Sequence, residues 1–167
     1  MNLVDRMIAA TQRALPAQDA AAHCDVPCGI YDPHAAQIAA HTVIRMVDLI
    51  EGLGSDLNNA AHLNTISRHI AVKESHAAIA EHEIIILWTD YFRPEHAEKY
   101  PQLHDLVWKT CKLTSTVKQQ VNKQAALDLL AGVQQIAELF WETKGVKTKR
   151  VPSGQPTGGE IVQPVLG

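Results

Sequence analysis

The sequence predicts an all-α fold, an antiparallel four-helix bundle with an N-terminal metal-binding hook. Three observations carry this. Over residues 32–144 apolar side chains recur every three or four positions in four separate segments, the period of a helix that buries one face. Capping and helix-stopping residues punctuate those segments. Ahead of them, the string His23-Cys24-Asp25-Val26-Pro27-Cys28-Gly29-Ile30-Tyr31 packs an imidazole and two thiols into one short loop.

The chain divides into a leader over 1–22, the hook over 23–31, the bundle over 32–144 and a flexible tail over 145–167. The leader has Leu3, Val4, Met7, Ile8 and Leu15 at roughly helical spacing, and Pro16 with the run Gln18 to Ala22 stops that pattern. It lacks a basic start and an uninterrupted apolar stretch, so it does not read as a secretory signal; Asp5 and Asp19 argue against an acid-free transit peptide.

In the body, Asp32 can cap the first helix, with Pro33 at its first position. Ala39, Val43, Met46, Ile50 and Leu53 form its apolar face until Gly52 and Gly54 end it. A second helix carries Leu63, Ile66, Ile70, Ala77, Ala80, Ile84 and Leu87, interrupted by Lys73, whose long stem can cover apolar surface. Asp90 to Pro101, with Pro94 and Pro101 and several aromatics, reads as a packed connection. A third helix follows through Leu103, Leu106, Thr110, Leu113 and Val117. Asn122 can cap a fourth, in which Ala126, Leu129, Leu130, Val133, Ile136, Ala137 and Phe140 make the stripe. Four such faces can bury one another. Beyond Gly145, the residues Pro152, Gly154, Pro156, Gly158, Gly159 and Pro164 discourage helix and strand interiors, so a mobile tail is expected.

Composition narrows the function. A chain of 167 residues with 46% apolar and 20% charged residues is ordinary for one globular domain. A formal charge of -3 gives no basic field for nucleic acid. No apolar run approaches the roughly 20 residues of a membrane span. Three cysteines are too few for a disulfide scaffold, which with the missing export signal favours a reducing, cytoplasmic location.

The hook carries the chemistry. Cys24 and Cys28 are close enough in sequence for a turn to bring both sulfurs to one ion, and thiolate and imidazole donors suit a redox-active late transition metal far better than calcium or magnesium. Pro27 restricts Val26, and Gly29 can adopt positive φ, so both shape a tight loop.

His23, Cys24, Asp25, Pro27, Cys28, Gly29, Tyr31, Asp32 and Pro33 resemble the hook of the nickel-containing superoxide dismutases. The resemblance continues through His82, the block from Leu87 and Trp88 to Pro101, Leu103 and His104, and the run Phe140-Trp141-Glu142-Thr143-Lys144. It implies a precursor whose leader is removed by a peptidase to leave His23 first, a homohexamer of small bundles, and one nickel ion per processed subunit with superoxide as substrate. The ligands it implies are the sulfurs of Cys24 and Cys28, the freed α-amine of His23 and the backbone nitrogen of Cys24, with the His23 imidazole axial in the oxidised state. Tyr31 is implied near the open face of the metal, limiting approach or holding a water, or else pinning the hook to the bundle. The family's acid and arginine that orient the imidazole correspond here to Ala39 and His76, with His41 and His76 as the available substitutes.

A nickel-binding chaperone or storage protein would use the same donors, and a helical oligomer could use the hook only for docking. His62, His69, His76 and His82 lack partnered carboxylates, so no second metal site is expected, and the absence of Glu-x-x-His weakens a di-iron bundle. Cys111 reads as a small buried hydrophobe. Trp88, Trp108, Trp141, Phe92 and Phe140 read as core or interface packing.

Overall fold

The computed structural model describes residues 28–54 and 59–166, so the expected leader, His23 and Cys24 lie outside the described residues. Four long helices surround one core: α1 (His34–Leu53), α2 (Ala60–Ile86), α4 (Leu103–Gln119) and α5 (Lys123–Thr143). They form a ring of neighbours in which α1 meets α2 and α5, and α4 meets the same two helices. Between α2 and α4 the chain makes a π-helical turn, Leu87–Tyr91, and the short helix α3 (Pro94–Lys99).

Local chemistry sets the boundaries. The Asp32 carboxylate accepts the His34 N–H at 2.7 Å and opens α1, and Gly54, with φ 73°, closes it. The Asn59 side chain accepts from Ala61 and His62 at the start of α2, and Asn122 accepts from Ala125 at the start of α5. Val43, Val47, Ile84, Leu103, Val117, Leu129, Val133 and Phe140 are all in the core. Gly132 has a packing reason: a Cβ there would collide with the Thr110 side chain, so α4 and α5 approach closely only because it is absent.

Lys73 does more than cover apolar surface. It is 1% exposed, and its ammonium donates to the carbonyls of Val117, Lys118 and Gln120. These are orphan acceptors where α4 ends, and a cation among them satisfies both hydrogen bonding and the helix dipole. Burial pulls the amine below the ordinary lysine value of 10.5, with Glu74 opposing. The unfolded chain therefore holds more protons in the interval below that value, and this group's contribution to stability rises with pH there. Lys73→Met leaves three carbonyls without a donor and is expected to cost about 2–3 kcal/mol, seen as a lower urea midpoint.

The tail expectation is corrected. Residues Thr148–Pro152 (β1) and Glu160–Pro164 (β2) pair antiparallel, from Thr148 opposite Pro164 to Pro152 opposite Glu160. The helical body thus carries a β-hairpin. The supposed breakers fall where a hairpin needs them: Pro152 and Pro164 at ladder ends, and Gly154, Gly158 and Gly159 at positive φ in the turn. Ile161 and Val162 are buried. The Gln37 side chain accepts the Val162 N–H at 2.8 Å and donates to its carbonyl at 3.1 Å, occupying that strand edge as a neighbouring strand would. Gln134 donates to the Glu160 carbonyl at 2.6 Å, while Arg150 pairs with Glu138 at 2.8 Å. Gln37→Ala is expected to cost about 2 kcal/mol and to open the segment 153–159 to proteolysis.

Candidate metal centre

The described part of the hook begins at Cys28, which is exposed. Gly29 follows at φ 71°, with open space where a Cβ would stand. Conformation rather than room therefore requires glycine at this bend. The bend brings the Ile30 N–H to 3.5 Å from the Cys28 sulfur. A backbone donor there favours the thiolate, the form in which cysteine binds metals. Ile30 itself points out, 77% exposed.

Tyr31 fixes the base of the hook. It packs against the core cluster, and its ring lies 5.6 Å from that of Tyr91, tilted by 56°. The π-helical turn aims Tyr91: Phe92 N–H reaches the Leu87 carbonyl at 2.8 Å, one residue further back than in an α-helix, and the wider turn re-phases the side chains. Tyr91 then meets Phe140 at 4.5 Å, Phe92 at 5.3 Å and His96 at 5.7 Å between ring centroids. Its hydroxyl is 2.6 Å from the Thr143 oxygen. Thr143 spends its own proton on the Phe140 carbonyl, so Tyr91 is the donor of this pair. Lys144 stands over Phe140, Tyr91 and Trp141, placing a cation against this aromatic cluster.

Between the hook's base and the π turn lies a cavity of about 230 Å³, lined by Gly29, Tyr31, Asp90, Tyr91, Arg93 and His96. Sequence reasoning gave no separate role to Asp90, Arg93 or His96. The signal was their place around Tyr91 in the aromatic block, but only packing sets them against the hook. A larger cavity, about 500 Å³, lies between Glu138, Glu142, Lys147 and Thr148 and includes none of the hook residues.

The expected imidazole-orienting substitutes fare differently. His41 is 3% exposed and committed to the hairpin, with Nδ1 2.9 Å from the Thr157 hydroxyl and Nε2 donating to the Glu160 carbonyl at 3.2 Å. It is removed as a partner for the hook. His76 donates from Nδ1 to the Val72 carbonyl at 2.9 Å, which leaves Nε2 as its acceptor nitrogen. Ala39 is buried and offers no polar group.

Among the described residues no three His, Cys, Asp or Glu side chains form a metal-binding group. His62 Nε2 and His69 Nδ1 are buried without hydrogen-bond partners. Cys111 is half-buried, and burial, with Glu81 adding to it, pushes its thiol pKa up, away from the reactive thiolate. Trp108 departs from monomer-core packing at 54% exposure. No described helix is long and apolar enough to cross a membrane.

Comparison with known proteins gives a consistent result. A family model described as nickel-containing superoxide dismutase matches residues 18–144, ending just before the hairpin. The nickel superoxide dismutase of Streptomyces coelicolor is 42% identical over 132 residues, covering 77% of this chain and 93% of that protein. That of Streptomyces seoulensis is 37% identical over 129 residues, with the same coverages of 77% and 93%. A solved native nickel superoxide dismutase has TM-score 0.64 at 38% identity, over 73% of this chain and 99% of that one. A structure with nickel ligation corresponding to the oxidised state gives 0.65 at 36%, over 74% and 99%. The helical body, the hook sequence and these likenesses agree: the chain is an oxidoreductase and belongs to the nickel-containing superoxide dismutase family.

Proposed function

We propose that the chain, once cleaved between Ala22 and His23, disproportionates superoxide to dioxygen and hydrogen peroxide. The sulfurs of Cys24 and Cys28, the freed α-amine of His23 and the backbone nitrogen of Cys24 would hold one nickel ion per subunit, with the His23 imidazole as a further ligand. Nickel so bound supplies a one-electron couple between its divalent and trivalent states, which anionic sulfur and nitrogen donors bring within reach of superoxide.

The observation that carries this reading is the family match over residues 18–144, a span that includes the hook. Cys28 fits the ion on physical grounds. It is exposed beside a cavity, and its sulfur has a backbone donor suited to a thiolate. The protein's own part is to bind and orient. Tyr31, backed by Tyr91, forms one wall of the cavity and limits what approaches. Arg93 and Asp90 line the same cavity and place a cation and an acid beside the hook. Each pair of superoxide ions consumes two protons, one electron passing from the first ion to the second, so the site must stay open to water. The exposed Cys28 and Arg93 meet that need.

The same reading gives a cytoplasmic homohexamer. Exposed Ile70, Val72, Ile79 and Ile85 on α2 and Trp108 on α4 supply apolar surface for subunits to bury. A chain beginning at His23 and loaded with nickel should hold one ion per chain and disproportionate superoxide. Stable nickel binding without turnover would instead identify a storage protein.

A further inference from the structure

We propose that His96 is an anion-binding residue of the cavity beside the hook, contributing a neutral Nε2–H donor to superoxide on its way to the metal. The inference rests on the reading of the chain as a superoxide dismutase, and it comes from the fixed state of the ring. Nδ1 of His96 accepts the Arg93 backbone N–H at 3.2 Å, while the His96 backbone N–H donates to the Arg93 carbonyl at 2.9 Å. An Nδ1 that accepts cannot carry a proton, so the neutral ring bears its hydrogen on Nε2. Stacking on Tyr91 at 21° and an edge contact with Phe92 hold the plane.

That leaves a donor with a set orientation and no hydrogen-bond partner among the described residues. His96 is half-buried and lines the same cavity as Gly29 and Tyr31. The charged and titratable groups facing it are Asp90, Arg93, Tyr31 and Tyr91, with Lys144 behind the Tyr91 ring. Asp90 offsets Arg93, so net charge alone gives little preference for an anion. A directed N–H supplies what the balanced charges do not, because hydrogen bonds to charged acceptors are the stronger class.

Three substitutions separate binding from structure. His96→Gln keeps a side-chain acceptor for the Arg93 N–H and still offers an amide donor. His96→Glu keeps the acceptor but has no donor, and His96→Leu has neither. With azide as the probe, a small monoanion, inhibition of the nickel-loaded protein should weaken about tenfold in the Glu and Leu variants. The Gln variant should stay close to wild type. The second-order rate constant for superoxide should follow the same order. In the full nickel-free chain, nitrogen NMR of the His96 ring should show the Nε2–H tautomer and a shift of that resonance on azide addition.

Equal azide inhibition in the Gln, Glu and Leu variants would overturn the proposal, as would an Nδ1–H tautomer. A Glu variant that matches the Gln variant, with only the Leu variant impaired, would also overturn it by reducing His96 to a helix cap. If the wild type binds azide at His96 but shows no dismutation, the functional reading fails and the anion site stands.

Discussion

Cys28→Ser, in the chain beginning at His23, is expected to bring superoxide disproportionation down to the level of protein-free buffer. Serine is nearly isosteric, so the bend at Gly29 and the seat of Tyr31 on Tyr91 survive, and circular dichroism should be unchanged. What disappears is the donor. An alcohol stays protonated at neutral pH and bonds weakly to a late transition metal, whereas a thiolate is anionic, polarisable and able to stabilise the higher oxidation state. Removing an outer partner of a metal ligand already costs roughly 10–100-fold in affinity or activity, and losing a proposed ligand should cost more. Nickel per chain, by elemental analysis, and the pulse-radiolysis rate should fall together. A serine variant that keeps both would remove Cys28 from the centre.

Retaining the leader should be nearly as severe. With Ala22 attached, the nitrogen of His23 is an amide with almost no basicity; once freed it is an amine with a reference pKa near 8 that can yield its proton to a cation. The uncleaved chain should therefore turn over superoxide at least about a hundredfold more slowly than the chain starting at His23. A single alanine left ahead of His23 should be as damaging as the whole leader, because the defect is chemical and not steric. Specific cleavage should restore the rate. Equal rates in the two forms would show that the amine is not a ligand.

The helices were legible because their determinants are local. The apolar period in α1, α4 and α5, and Asn122 as a cap, can be read within one turn of where they act. The family likeness of the hook was legible for the same reason, since the residues that carry it are nearly contiguous. The hairpin was not. Its glycines and prolines look like breakers until the antiparallel partner is known, and the Gln37 amide that closes the strand edge comes from more than a hundred positions away. His41 was misread for this cause: its role depends on Thr157 and Glu160. The cavity shows the same limit, because nothing local to Tyr31 announces that Arg93 and His96 face it.

The seat of Tyr31 on Tyr91 has one more consequence, for the energetics of metal capture. Tyr31 stands three positions after Cys28, so a fully stretched chain holds that sulfur's backbone within about 10 Å of the Tyr31 anchor. Under the proposed ligand scheme the other donors, His23 and Cys24, join the chain within a few residues of that anchor. Their local concentration at the pocket is accordingly high, and less disorder must be surrendered when the ion arrives.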